Sequence, residues 1–415
     1  MAEEFRIALR NMGKIDPANI DDYIAMGGYK ALEKARDMGS LNIIEEVKKS
    51  GLRGRGGAGF NTGQKWYFSY SLENDEKYVV CNADEGEPGT YKDRIIMEND
   101  PHTVIEGMAI CAQAIGAPKG FIYCRGEYQG LVKSMRNAVD QAKEKGLLGD
   151  FDIEVRMGAG AYVCGEETSL IESLEGHRGE SRFRPPYPPV SGLWKKPTIV
   201  NNVETFATIP PIVEKGGEWF KSIGAENFPG TKILTLSGDV KNRSFIEVPT
   251  NTTIREVIFD FGQGIPQGKK LKAVQIGGTS GGFISPALLD TPIDFDSMRK
   301  AGATLGSGAV FVLNEERDLV DIVMRTAEFF EHESCGKCAP CREGTMRMKN
   351  ILENINSGLG SKDDLALLQK LGRVMASTCL CGLGQAAPTP VITSIKHFGT
   401  DFEAKITREG SEKTW

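Results

Sequence analysis

Apolar and polar positions along the first half of the chain switch repeatedly between two periods. Apolar runs at Lys77–Ala83, Gly120–Arg125 and Asp152–Met157 have strand length and are rich in β-branched or aromatic residues. Between them, the spacing of apolar positions over Leu41–Ser50, Pro101–Gly116 and Gly130–Gly146 predicts helices. Such alternation builds a layered α/β domain with a mostly parallel sheet, expected over residues 1–228. The segment Arg184-Pro-Pro-Tyr-Pro-Pro189 suits neither a helix nor a central strand and is expected to cross a surface.

The pattern then changes. Strand-like runs at Lys232–Val240 and Phe245–Pro249, a helix opened by Thr252-Thr253 over Ile254–Phe261, and strands at Leu271–Ile276 and Ala309–Leu313 predict a small α+β domain of β-grasp type over 229–315. Its loop Gly277-Gly-Thr-Ser-Gly-Gly282 reads as a plain turn or as a ligand contact. Residues 316–415 turn helical, with segments near 316–332, 342–357, 362–376 and 387–406. Leu319, Val320, Val323, Met324, Ala327 and Phe330 keep the helical spacing of a bundle face.

At 415 residues the chain is too long for one core, which agrees with three regions. A net charge of −6 without a basic block argues against a nucleic-acid partner. No apolar run approaches ~18 residues and no signal-peptide core opens the chain, so neither membrane insertion nor export is expected. The expected location is the cytoplasm, at most peripheral to a membrane through partners. Cysteines scattered through apolar runs, such as Cys81 and Cys124, fit a reducing compartment better than a disulfide framework.

The chemistry starts at Cys335, Cys338 and Cys341. Three thiolates at three-residue spacing, with a fourth from a distant segment, are what a [4Fe–4S] cluster needs. A tetrahedral zinc is the alternative, but it commonly pairs two Cys-x-x-Cys knuckles. For the fourth ligand Thr-Cys-Leu-Cys offers Cys379 and Cys381. Cys381 is favoured because Gly-Leu-Gly follows it and lets the backbone fold close.

Two glycine-rich stretches accompany this cluster motif. Gly54, Gly56 and Gly59 match G-x-G-x-x-G, but a helix precedes them where the dinucleotide fingerprint requires a strand. What remains is a loop of little bulk that offers peptide N–H groups or lets a planar ring lie close, with Arg55 and Lys65 adding charge. Lys65 is followed by Trp66, which excludes a Walker A loop. The second stretch, Gly158–Gly165, follows a strand and opens the helix Glu166–Glu175, an arrangement that binds anions. There Glu166 and Glu167 either complement the helix dipole or bind ribose hydroxyls and repel a 2′-phosphate. Asn82, Asp84, Glu85 and Glu87 leave a strand end where ligands gather, although an acidic surface loop would look the same. Asn201, Asn202 and Thr205 add amide and hydroxyl groups.

The sequences GRGGAGF (54–60), CNADEGEPG (81–89), GAGAYVCGEETSLIESLEG (158–176), NNVET (201–205) and ESCGKCAPCREG (333–344) together resemble the NADH-oxidising flavoprotein family. That family includes the flavoprotein subunit of respiratory complex I and the diaphorase subunits of soluble NAD-linked hydrogenases and formate dehydrogenases. The resemblance implies an FMN-binding Rossmann-like α/β domain, then the β-grasp domain, then the helical bundle with its cluster. By the same resemblance FMN would be held by Gly54, Arg55, Gly56, Gly57 and Lys65, by Asn82 and Asp84, by Gly165 and Glu166, and by Asn201, Asn202 and Thr205. NADH would lie against Phe60, Phe68, Glu87, Glu167, Arg184 and Tyr187. Arg184 and Tyr187 stand where the family often has Lys and Phe, so charge and ring are kept with altered contacts.

The activity this implies is an NADH:acceptor oxidoreductase with no side-chain acid, base or nucleophile. Hydride would pass from NADH to FMN, and the cluster would carry single electrons to or from partner subunits. The opening and closing motifs resemble the soluble hydrogenase or formate dehydrogenase branch. Expected partners are therefore a thioredoxin-like [2Fe–2S] subunit and a larger iron–sulfur catalytic subunit. The thioredoxin-like and ferredoxin-like extensions of many such relatives are not found in this sequence. Complex I is the second placement, and a nucleotide-binding subunit without turnover the third.

Overall fold

The structure is a computed structural model that describes residues 3–406 except Asp75; residues 407–415 of the expected third region lie outside the described residues. Its first sheet is parallel and four-stranded, in the order Asp152–Met157, Lys119–Cys124, Tyr78–Ala83, Thr198–Asn202. Three of these strands are the ones the apolar runs predict. The fourth, Thr198–Asn202, is short and follows Pro197, and the sequence pattern does not reveal it. Its register sets Asn201 beside Cys81 and Asn202 beside Asn82, at the carboxyl ends of adjacent strands.

Helices cover both faces of this sheet. Pro101–Ile115 is almost wholly buried. Asp100 caps it by accepting from the Thr103 N–H, Pro101 presets its first turn, and Gly116 ends it with φ 73°. Val203–Lys215 is capped by the Asn202 side chain, which accepts from the Glu204 N–H. Among the described residues no helix is long and apolar enough to cross a membrane.

The second sheet is mixed and five-stranded, in the order Gly282–Ile284, Leu271–Ile276, Ala309–Asn314, Thr231–Gly238, Phe245–Pro249. The edge strand Gly282–Ile284 is an addition to the four expected. The expected helix from Ile254 is one α-turn, Ile254–Glu256, running into a π-turn, Val257–Phe261; Thr253 and Glu256 form a capping box at its start.

Polar groups tie the two sheets together. Near the start of the chain, the Ala8 and Leu9 N–H groups donate to the Glu247 carboxylate on the second sheet, at 2.9 and 2.8 Å. Deeper in, the Glu204 carboxylate lies between the ammonium groups of Lys92 and Lys232, and accepts from the Ile233 N–H at 2.9 Å. All three charged side chains are at most 2% exposed. Burial would raise the Glu204 carboxyl, but the two ammonium groups hold it below its ordinary range. Burial brings Lys232 down to about 8, with Glu204 offsetting only part of the cost.

The described C-terminal part is helical: Leu319–Glu333, Ala339–Asn356, Lys362–Thr378, a short Gly382–Ala386 and Thr389–Glu403. Leu319, Val320, Val323, Met324, Ala327 and Phe330 form its inner face as their spacing predicts. The cysteines sit where these helices begin and end.

Candidate functional site

The first glycine loop joins two helices, Ser40–Lys49 and Thr62–Tyr70. A Cβ added at Gly56 would stand 2.9 Å from the Asn202 Cβ, so the loop backbone lies directly over the strand end that carries Asn201 and Asn202. Thr205 joins them by accepting from the Arg55 N–H at 2.9 Å. The expected charge of Arg55 is not at the loop mouth. Its guanidinium is buried over the Phe228 ring, 4.1 Å from the centroid, and donates to the Pro229 and Arg53 carbonyls. Burial lowers it to about 10. The physical reason is the open carbonyl of the Gly224–Pro229 hairpin, which only a long, forked donor reaches.

The asparagines are engaged as well. Asn201 accepts from the buried Trp66 indole N–H at 2.9 Å. Asn202 accepts from Lys92 at 3.0 Å and donates to Asp93 at 2.7 Å. Lys92 and Asp93, in the helix that follows CNADEGEPG, are supporting residues that sequence reasoning missed. Asn82 donates to the Gly165 carbonyl at 2.7 Å, which joins the strand end to the second glycine-rich stretch.

The second stretch departs from expectation in one respect. The helix Glu167–Leu174 does not offer its N-terminus to a bound anion, because Glu166 caps it by accepting from the Thr168 and Ser169 N–H groups at 3.1 and 3.0 Å. One oxygen of the cap suffices for this. The other, Oε1, is buried without a hydrogen-bond partner, and so is Oδ2 of Asp84. Two buried carboxylate oxygens without a hydrogen bond, one of them with the Arg184 guanidinium 3.6 Å away, lie beside a glycine cradle and fit a ligand rich in hydroxyl donors, such as the ribityl chain of FMN.

Burial pushes the Asp84 carboxyl up to about 7. The folded value exceeds the unfolded one, so ionisation costs stability: nothing below about pH 4, more as pH rises, and the full amount above about pH 7. Asp84→Asn is therefore expected to stabilise the FMN-free chain near pH 8 but not near pH 4. Urea titrations at both values check this; equal stabilisation at both would refute the burial argument.

On the outer side the nucleotide candidates come together. Lys65 donates to Glu167 at 2.8 Å and to the Val200 carbonyl at 2.7 Å. Arg184 lies 3.6 and 3.7 Å from Glu166 and Glu167, and its guanidinium is 5.8 Å from the Tyr187 ring centre. Phe60 and Phe68, 6.4 Å apart, stay exposed, as does Tyr187 in the proline-rich segment. Exposed aromatic rings beside a glycine loop form a stacking surface. Glu87 lies farther in and accepts from the Tyr162 hydroxyl at 2.5 Å and the Ser280 N–H at 2.6 Å.

Residues 162–182 lead from this site to the cysteines. The Tyr162 N–H donates to Glu333 at 2.9 Å, and Arg178 to the Cys335 carbonyl at 2.8 Å. Cys338 stands at the N-cap position of the helix Ala339–Asn356, Cys341 is in its first turn, and Cys381 stands at the N-cap position of Gly382–Ala386. Burial raises the Cys381 thiol, and the nearby Ser181, Leu383 and Gly384 groups offset part of that rise. The Cys379 thiol shares its proton with Cys341, which lowers Cys341 and raises Cys379. A zinc tetrahedron would hold sulfurs roughly 3.8 Å apart. Among the described residues no three cysteine sulfurs lie within 4.8 Å of one another; the one trio of possible ligands that does is Glu172, Glu175 and His177. The described cysteines therefore form no ready-made zinc tetrahedron.

Comparison with known proteins agrees with this geometry. Residues 47–211 match the family model of the Nuo51 FMN-binding domain, and residues 321–405 that of the NADH-ubiquinone oxidoreductase-F iron-sulfur binding region. The NADP-reducing hydrogenase subunit HndC of Solidesulfovibrio fructosivorans is 48% identical over 97% of this chain and 84% of its own. A subunit of the NADH-quinone oxidoreductase of Rhizobium meliloti is 45% identical over 96% and 97%. A solved NAD+-reducing [NiFe]-hydrogenase, in its H2-reduced state, matches with a TM-score of 0.86 at 38% identity, covering 92% of this chain and 66% of that one. The chain belongs to the NADH-oxidising flavoprotein family, with an FMN-binding domain and an iron–sulfur region, that takes in these hydrogenase and NADH-quinone oxidoreductase subunits.

Proposed function

We propose that this chain is the NADH-side subunit of a soluble NAD-linked hydrogenase or formate dehydrogenase and works reversibly. One observation carries the reading: the segment 162–182 contains Glu166 of the glycine cradle and meets the cysteine segment through Tyr162 to Glu333 and Arg178 to the Cys335 carbonyl, so the two proposed redox sites share one wall. Bound FMN would supply two-electron exchange with NADH, and a [4Fe–4S] cluster one-electron exchange with a partner.

The protein's own residues bind and orient. Asp84 and Glu166 would offer buried carboxylate oxygens to FMN hydroxyls, and Gly54, Gly56, Gly57 and Gly165 would keep side chains out of its path. Asn82, Asn201, Asn202 and Thr205 hold the cradle's shape. Lys65 and Arg184 keep the Glu167 carboxylate in place for the ribose, where its charge disfavours a 2′-phosphate. Phe60, Phe68 and Tyr187 supply stacking faces, and Glu87 a fixed anion. Cys335, Cys338, Cys341 and Cys381 are assigned as cluster ligands, with Cys379 packed behind Cys341.

The partners that fit are a thioredoxin-like [2Fe–2S] subunit and a larger iron–sulfur catalytic subunit. The NADH-quinone oxidoreductase relative from Rhizobium meliloti, which shares almost its full length with this chain, supports complex I as the second placement.

Anaerobic titration of the purified chain with NADH and then NADPH, followed by EPR, tests the reading. NADH is expected to bleach the flavin band and produce a reduced-cluster signal, and NADPH to do so more weakly. A flavin that stays oxidised, or a preparation with zinc and no iron, would sink it.

A further inference from the structure

The loop 277–281 joins two antiparallel strands of the second sheet, a task that a two-residue turn performs. This loop is longer, and it leaves its own sheet to meet Glu87. The Ser280 N–H donates to Glu87 Oε1 at 2.6 Å, while the Tyr162 hydroxyl serves Oε2. Gly278 lies against the same side chain. A Cβ there would stand 2.3 Å from the Glu87 Cγ, and at φ 87° the position is strained for any other residue.

The approach is braced from behind. The Gly277 N–H donates to the Ala309 carbonyl at 2.8 Å, and the Gln275 amide to the carbonyls of Thr279 and Gly281 at 3.2 and 3.3 Å. A neighbouring loop of the same domain extends the contact. The Ser307 and Thr90 hydroxyls are 2.6 Å apart, and a Cβ at Gly57 would lie 3.5 Å from the Gly306 carbonyl carbon. The second sheet thus closes one side of the cradle from Gly57 to Glu87.

We propose that the Ser280 peptide N–H is a positioning group that fixes Glu87 for nucleotide binding, so that the β-grasp domain forms part of the NADH site. The inference rests on the reading of Glu87 as a nucleotide contact. Each Glu87 oxygen has its own donor, one from the flavin domain and one from the second sheet, and the carboxylate has one orientation only while both are present. Burial favours the neutral acid, and these donors favour the charged form. The Ser280 hydroxyl also reaches Glu87, so a test must separate it from the backbone.

The test uses the FMN- and cluster-loaded chain and the dissociation constant of NAD+ measured by calorimetry, with NADH KM and kcat for a dye acceptor alongside. Ser280→Pro removes the N–H, Ser280→Ala keeps it, and Gly278→Ala pushes Glu87 aside. Ser280→Pro and Gly278→Ala are expected to weaken NAD+ by about tenfold and raise KM similarly, with kcat, flavin and iron content unchanged. Ser280→Ala is expected to keep most of the affinity. In a Glu87→Gln background neither strong variant should weaken binding further.

Normal NAD+ affinity in Ser280→Pro, an equal loss in Ser280→Ala, or losses that add fully to that of Glu87→Gln would overturn the proposal. If Ser280→Pro fails to load flavin, Gly278→Ala decides by the same cycle. A wild-type chain whose flavin NADH does not reduce would instead defeat the underlying reading.

Discussion

Cys381→Ala is expected to leave the purified chain with its flavin and without its four-iron cluster. Loss of one of four thiolates removes a corner of the cubane's support, so iron and labile sulfide fall to a small fraction of wild type and the NADH-reducible EPR signal disappears. Flavin is expected to survive because Cys381 lies outside the cradle and is linked to it through the field of Glu166. Cys379→Ala is the control. Cys379 is buried in the same cluster, and its contact with Cys341 together with burial raises its thiol. Cys381 stands at the N-cap position of Gly382–Ala386, where the Leu383 and Gly384 peptides offset part of the cost of burying a thiolate. Iron analysis and EPR on both variants decide: a cluster that survives Cys381→Ala and is lost in Cys379→Ala reverses the assignment.

The second large effect is on stability. Glu204→Ala strands the Lys232 ammonium group in a dry interior, while Lys92 keeps Asp93 at 2.6 Å, and breaking a buried pair in this way costs about 3–5 kcal/mol. Urea unfolding is expected to show that loss, with reduced flavin content because Lys92 also holds Asn202. Glu204→Gln combined with Lys232→Met removes one charge of each sign, and is expected to recover most of the stability. A Glu204→Ala chain as stable as wild type would mean that water or deprotonation of Lys232 already relieves the site.

Which of these features the sequence displays depends on how local each one is. The strands Tyr78–Ala83, Lys119–Cys124 and Asp152–Met157 are long apolar runs and can be read directly. Thr198–Asn202 is as buried, but its polar asparagines and the preceding proline hide it. The cysteine spacing is legible because the cluster chemistry fixes it, whatever fold surrounds it. Arg55 is not, because nothing near it in sequence announces the Pro229 carbonyl that draws its side chain inward. Glu166 is legible as a residue of the helix start. That its one oxygen satisfies the cap while the other is left over is a fact of three-dimensional burial. The glycines of 277–282 announce a turn, and only the packing shows what the turn touches.

The seam between the two sheets also limits how the chain can be recombined. It is crossed by Ala8 and Leu9 to Glu247, Arg55 to Pro229, Glu204 to Lys232, and Glu87 to Ser280. A chimera that took residues 229–315 from a distant relative would inherit one half of each bond. Such a graft would begin with buried charges and amides facing foreign partners, even where every strand and helix superimposed. Variation in the two units must therefore be matched, residue for residue, across that boundary.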